Sequence, residues 1–471
     1  MSRARQCGPS STGEPRLGLP FGVWPRHWRR ARTVTLVAVV LLLGERTVVA
    51  QAIAEPAEAV AAPSLPADEG AGSQDKPQRA GTKRRRSAVR FVMKDRPSLR
   101  IGDVLRVDFR VKLQGEFQAR SPELSDGPFA FRRKRVGIEG SFLDYVEYEL
   151  EGELGRSNPW RDVFVNLRVN PAVQIRAGKF KIPFSRDQLT SPVRHDFINR
   201  ARLGDDLAPA RDVGIAAHGR LKTAGIRYDL GLFRQDGENA RFGRTPGAGR
   251  TVAGRMTMLP VPSRVAGAAR DLEVGFGITT STVAEGRSAL RGRTVADETF
   301  FSQVYVDGLR LRLGIDARWS AGPFSLSSEF VRVRDERRHQ GLLLEDLPPL
   351  ISRGSYISGT WLLTGDRKGD GVEPRRPLFQ GGGGAAELAA RYERIRFGSF
   401  SDLEAPSRSP RAANVLAASD NVWTVGLNWY PNRWTKIQIN AMRERLANPD
   451  PTSSLSRAIY WTRVCRLQFV L

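Results

Sequence analysis

Residues that usually anchor chemistry are nearly missing from this 471-residue sequence, which has two cysteines (Cys7 and Cys465) and four histidines (His27, His195, His218 and His339). Cys7 falls in a segment expected to be removed, so one thiol remains, with no partner for an internal disulfide. A zinc site cannot be assembled from one cysteine and four scattered histidines. Neither Gly-x-Ser-x-Gly nor His-Glu-x-x-His occurs, so the nucleophile elbow and the zincin helix are both excluded. Ser191 and His195 stand four apart, with nothing that singles them out as a catalytic pair. The glycine-rich stretch from Gly243 to Thr251 has the wrong spacing, and no lysine, for a phosphate-binding loop. No metal and no cofactor is therefore expected, and an enzyme is a minor alternative.

Long apolar runs are missing as well. Val34–Leu43 is apolar apart from Thr35, and ten residues are too few for a spanning helix, which needs about 20. Mean hydropathy is −0.36, which argues against a helical membrane bundle. It does not exclude a transmembrane barrel, whose strands alternate apolar and polar residues. Negative charge is also short: 74 Lys+Arg stand against 50 Asp+Glu, a formal charge of +24. Such an excess implies an anionic partner, with nucleic acid the first class to weigh.

The N-terminus reads as an address. Arg26, Arg29, Arg30 and Arg32 precede the Val34–Leu43 run, and small residues follow at Val48-Val49-Ala50 and Ala50-Gln51-Ala52. A basic region, a short apolar region and an A-x-A-like site define a secretory signal, here 1–52 with an extended basic n-region. Residues 53–100 are rich in Ala, Pro, Glu, Ser and Gly, and carry the run Lys83-Arg84-Arg85-Arg86. They read as a disordered periplasmic linker with a solvated charge run. Export also separates the chain from cytoplasmic nucleic acid.

From 101 to 471 the pattern has period two. Leu105, Val107, Phe109, Val111 and Leu113 alternate with Arg106, Asp108, Arg110 and Lys112; Leu309, Leu311, Leu313 and Ile315 alternate with Arg310, Arg312 and Asp316, and Arg318 follows. This is the signature of strands with one apolar and one charged face. Asn170-Pro171, Asp236-Gly237, Pro431-Asn432 and Gly381–Gly384 supply turn signals. Aromatic residues gather at strand ends, as an interfacial girdle requires: Trp319, Trp423, Trp429, Tyr430, Trp434, Tyr460 and Trp461. The class is all-β, a transmembrane antiparallel barrel. Sixteen strands fit, at about 23 residues per strand and connection. An arginine facing lipid at the bilayer midplane costs about 2–4 kcal/mol. Arg106, Arg110, Lys112, Arg310, Arg312 and Arg318 are therefore assigned to an inner wall.

Four segments carry a family resemblance: Phe131–Gly140; Val173–Phe184 with Gln188-Leu189-Thr190-Ser191; Arg211–Ile215; and blocks between Tyr356 and Asn432. Together they resemble the phosphate-selective porin O and P family over roughly 100–471. The resemblance implies a homotrimer of sixteen-stranded barrels in the outer membrane of a Gram-negative bacterium, in contact with its lipid. It also implies a loop at about 184–212 that folds inward and narrows the channel. On that basis Lys179, Lys181, Arg186, Arg194, Arg200, Arg202 and Arg211 are eyelet candidates for inorganic phosphate or other small anions, because Arg forks and Lys point charges suit such ligands. For each arginine the competing reading is a lumenal residue held by a carboxylate across the barrel. Glu147, Glu149, Glu151 and Glu153 form an acidic row able to temper anion preference. A general anion porin and an outer-membrane barrel hydrolase are the alternatives.

Overall fold

The computed structural model describes residues 89–93, 96–120, 129–239, 249–259, 271–399, 415–449, 455 and 457–471. The signal at 1–52, the linker as far as 88 with its basic run, and most of the 243–251 stretch lie outside the described residues.

A short hairpin comes first, β1 (Val89–Met93) and β2 (Pro97–Ile101). The next nine strands are β3 (Leu105–Arg120), β4 (Ala130–Phe142), β5 (Val146–Glu153), β6 (Trp160–Asn170), β7 (Val173–Lys181), β8 (Arg211–Leu221), β9 (Ile226–Phe233), β10 (Thr251–Met258) and β11 (Glu273–Arg287). Two short strands, β12 (Gly292–Arg293) and β13 (Thr299–Phe301), pair with each other in a loop. The last seven are β14 (Tyr305–Ala321), β15 (Phe324–Arg337), β16 (Leu347–Leu362), β17 (Ala385–Ser399), β18 (Ala418–Tyr430), β19 (Thr435–Ala447) and β20 (Ile459–Val470). Each of β3–β11 and β14–β20 pairs antiparallel with its neighbour, and β20 pairs back onto β3. That closes a sixteen-stranded barrel, the number that the spacing suggested.

The closing seam is shared. β20 covers β3 from Lys112 to Arg120, and β2 covers the same edge from Leu105 to Asp108. An uncovered edge would leave backbone donors and acceptors unpaired. Residues 89–101 thus correct the linker expectation at its C-terminal end. The apolar positions Val89, Phe91 and Met93 form too short a run to stand out beside the basic cluster, and their pairing partner is supplied by the fold.

Alternation sorts the two faces of the wall. Phe109, Leu113, Phe117, Leu309, Leu313 and Ile315 are exposed on the outside, while Asp108, Lys112, Gln114, Glu116, Arg310, Arg312 and Asp316 are buried inside. Turns at one end are mostly tight, as at 143–145, 171–172, 222–225 and 322–323. The other end carries the longer loops, as barrels do on the extracellular side. The girdle expectation needs one correction. Trp423, Trp429 and Trp461 are exposed, but Tyr430 and Tyr460 are buried at the alternate parity and face inward.

Segment 182–210 is tied to the inner face of the far wall. Its single-turn helix α1 (Arg186–Leu189) is capped by Ser185, whose Oγ accepts from the Gln188 N–H at 3.2 Å. The Arg186 and Asp187 N–H groups donate to the Glu329 carboxylate on β15, at 3.1 and 2.9 Å. A carboxylate at a helix N-terminus satisfies donors that the helix cannot. Further along, Asn440 on β19 accepts from the Ile198 N–H, Glu393 on β17 accepts from the Arg202 N–H, and Arg312 on β14 donates to the Leu207 carbonyl. Glycines make room for the apolar side chains. A Cβ at Gly277 would stand 2.7 Å from the Phe184 carbonyl oxygen, and one at Gly354 would stand 2.6 Å from Leu203 Cβ. Phe184, Leu203 and Leu207 then join Phe300, Phe301, Ile395, Phe397 and Tyr460 in one buried apolar cluster.

Candidate functional site

Two cavities meet segment 182–210, one toward each end of the barrel. The cavity at the loop end has a volume of about 830 Å³ and is lined by nine arginines against three carboxylates, Asp205, Glu238 and Asp297. The one at the turn end, about 890 Å³, is lined by nine Arg or Lys against four carboxylates, Asp187, Asp196, Asp370 and Glu373. Asp187, Leu189–Ser191 and Val193–Phe197 border the second cavity, while Gln188, Pro192, Asn199 and Arg200 border the first.

The structure places the sequence candidates as follows. Lys179 Nζ donates to the Trp160 carbonyl and lies 3.3 Å from Glu238. Lys181 Nζ donates to the Leu189 and Thr190 carbonyls at 2.9 and 3.0 Å. Arg186 reaches Glu273 at 2.6 Å and Asp316 at 3.5 Å. Arg200 donates to the Asp187 and Thr190 carbonyls, and Arg202 pairs with Asp206 at 2.7 Å. Arg211 grips Asp162 through Nε and Nη2. Arg194 is exposed in the turn-end cavity and forms no ion pair among the described residues. Arg200, Arg202 and Arg211 line the loop-end cavity; Arg186 and Arg194 line the other; Lys179 and Lys181 line neither.

The wall candidates are neutralised locally. Arg106 pairs with Asp108, Arg110 with Glu139 and Glu149, Lys112 with Glu151, and Arg318 with Asp370. Arg310 binds Asp335 at 2.5 Å and Asp236 at 2.9 Å, and Arg312 binds both oxygens of Asp236. Arg310 and Arg312 are 1% and 0% exposed, so each needs its carboxylate: breaking a buried ion pair costs about 3–5 kcal/mol. Burial raises the Asp236 carboxyl, but Arg312 and Arg310 outweigh it and hold the group down at about 2. The glutamate row on β5 sits beside the basic residues of β3 and β4. Arg135 pairs with both Glu151 and Glu153.

What the sequence reading passed over is the basic cluster at the end of β4. Arg132, Arg133 and Arg156 line the loop-end cavity and form no ion pair among the described residues, and Arg133 stands among Arg132, Arg135, Arg200 and Arg466. Strict alternation would place only two of the four residues 132–135 inside. A register shift between Gln114 and Gly115 breaks that count. In the segment below, His195 Nδ1 lies 3.7 Å from Asp187. Burial, with Arg200 and Lys181 nearby, holds its imidazole neutral.

A closed sixteen-stranded antiparallel barrel, apolar outside and cation-lined within, defines a porin-type channel of the outer membrane. The chain belongs to the phosphate-selective porin O and P family, whose profile matches residues 106–453. No curated protein matches it by sequence. Among solved structures, the trimer form of in-vitro-folded OmpT from Vibrio cholerae is 10% identical with a TM-score of 0.52, covering 78% of this chain and 100% of that one. Outer-membrane-expressed OmpT from the same organism is 11% identical with a TM-score of 0.51, covering 81% and 100%. The outer-membrane channel DcaP of Acinetobacter baumannii is 10% identical with a TM-score of 0.50, covering 78% and 98%. At these identities the likeness is one of fold. Family and fold together indicate a channel rather than an enzyme.

Proposed function

We propose that this chain forms an anion-selective diffusion channel that takes up phosphate or polyphosphate through an arginine-lined pore. The observation that carries the reading is the surplus of cations in both cavities, above all the uncompensated trio Arg132, Arg133 and Arg156. Guanidinium forks bind phosphate oxygens in pairs. Several such groups spread over two cavities give the weak sites in series that conduction requires. In this reading segment 182–210 is the constriction, residues 1–52 direct export through the periplasm, and three copies assemble, as in the trimer form of OmpT.

The test is single-channel conductance of the refolded protein in a planar bilayer under a chloride gradient, with phosphate then titrated in. The expected result is an anion-directed reversal potential and partial block by phosphate. Anion preference without block would make this a general anion channel. A cation-directed potential would overturn the proposal.

A further inference from the structure

Arginine appears where the alternation rule forbids it. On the loop-end halves of β15–β20, the outward positions are occupied by Arg332, Arg334, Arg353, Arg394, Arg396, Arg443, Arg445 and Arg463, while the inward neighbours Val331, Val333, Ile395, Phe397, Met442 and Leu446 are buried and apolar. The inversion follows from what lies inside: there the wall packs against the apolar cluster built from loop residues such as Phe184, Leu203, Phe300 and Phe301.

Register aligns these arginines. Arg332 lies opposite Arg353, and Arg353 lies opposite Arg396, three on one face of three adjacent strands. Arg394 and Arg445 flank Asn421 on the next strands. Strands are about 4.8 Å apart, and like charges directly opposite each other destabilise a sheet. Arg353, Arg394, Arg396 and Arg445 form no ion pair among the described residues. Arg334 has Glu336, which it shares with Arg338. The first four therefore present outward charge that no described carboxylate neutralises.

Height points to their counterion. Ala386, in register with the outward Trp429, is ten residues below Arg396 on β17. Strands rise about 3.4 Å per residue, and a tilt of about 40° makes ten residues span about 26 Å, against an apolar band about 25 Å tall. Directly below Arg394, Arg396 and Arg445 come the aromatic residues Tyr392, Trp423 and Trp461, with Tyr392 and Trp423 rings 4.7 Å apart. Arg443 is level with the two tryptophans, and Arg463 lies two residues below Trp461. Below those the outward side chains include Leu388, Val425, Ile439 and Leu467, with Ile357 level with Tyr392. Apolar, then aromatic, then cationic is the order of layers from hydrocarbon to headgroup. On the opposite wall Val213, Leu232 and Val252 carry the apolar face up toward the loop ends of β8–β10, where exposed Arg234 and Arg250 come next.

We propose that Arg353, Arg394, Arg396 and Arg445, on β16, β17 and β19, form a docking surface for phosphorylated lipid headgroups of the outer leaflet. It is separate from the pore, so it stands or falls independently of anion selectivity. The test is native mass spectrometry of the detergent-purified protein with diphosphoryl lipid A, and with the same lipid stripped of phosphate. The diphosphorylated form is expected to stay bound and the stripped form to be lost. Near a membrane surface each arginine contributes roughly fivefold, so the Arg353→Gln/Arg394→Gln/Arg396→Gln variant is expected to bind about a hundredfold more weakly. Its conductance should match that of the parent. Equal retention of both lipids by the parent protein overturns the proposal, and that comparison needs no variant to fold. Displacement by inorganic phosphate would overturn it in favour of a free-anion site. Loss of oligomers by the variant, at unchanged lipid retention, would assign this face to a second copy of the chain.

Discussion

The two halves of the barrel wall obey opposite rules. On β3–β7 charges point inward and apolar residues outward: Lys112, Arg135 and Glu151 are buried inside, while Leu113, Val136 and Leu150 are exposed. On the loop-end halves of β15–β20 arginines point outward, and the inward face mixes apolar side chains such as Val333, Ile395 and Phe397 with the buried acidic residues Asp335, Glu393, Asp420 and Glu444. Both halves alternate equally well. Period two fixes which residues share a face, but the neighbours of each face decide whether it is wet. On β3–β7 the inner neighbour is the cavity lined by Arg132, Arg133 and Arg135. On β15–β20 it is a packed cluster of loop side chains, so that part of the lumen is filled and buried.

The sharpest way to break this comparison is to treat the filled half as if it were open cavity. Phe397 stacks on Phe301 with ring centroids 4.5 Å apart. Phe397→Ala should cost about 3–5 kcal/mol, read as a lower urea midpoint in liposomes by tryptophan fluorescence. Truncating the outward-facing Phe276 should cost far less, and equal losses would mean that the loop cluster is not a core. Next in size is Asp236→Asn, which leaves Arg310 and Arg312 without their shared carboxylate at a cost of about 3–5 kcal/mol. The sign can be checked with acid. A carboxyl held down at about 2 contributes stability that is complete above its ordinary value of 3.8 and is lost as pH falls through 2. The variant should lack that step.

A smaller effect separates the two sets of arginines by function. Arg132→Gln/Arg133→Gln/Arg156→Gln should shift the reversal potential toward zero and weaken phosphate block, with folding unchanged. The outward triple variant should leave both alone. If both triples shift the potential equally, pore and outer surface are not electrostatically distinct. The smallest effect expected is at Asp187. Burial, only partly offset by Arg200, raises its carboxyl from 3.8 to about 6. The folded segment therefore binds this proton more tightly than the unfolded chain. Its stabilising contribution is complete below 3.8 and fades as pH rises to 6. Hydrogen exchange at the Ala201 N–H, which donates to Asp187 Oδ1 at 3.3 Å, should be slower relative to a free peptide at pH 5 than at pH 7.

Much of the barrel was legible in the sequence, because alternation over β3 or β14 is uninterrupted and turns announce themselves at Asn170-Pro171 and Pro431-Asn432. The strand count followed from the length available per strand and connection, and the family from four short segments such as Val173–Phe184. The individual arginines were not legible in that way. Whether Arg312 stands free or grips Asp236 depends on a residue 76 positions away. Arg132 and Arg133 were hidden by a bulge that sequence parity cannot register, and Arg156 by its place in the β5–β6 connection, where no parity applies. The reversed faces of β17 were invisible for a deeper reason: Ile395 and Phe397 between Arg394 and Arg396 give the same pattern whichever side is buried.

The shared seam on β3 has one more consequence. One edge is closed by residues from both ends of the sheet, β2 below and β20 above. A nascent barrel lacking either piece shows an open row of backbone groups, the feature that invites stray pairing. Closure therefore acts as an inspection: only a chain intact from its first hairpin to its last strand can hide its seam.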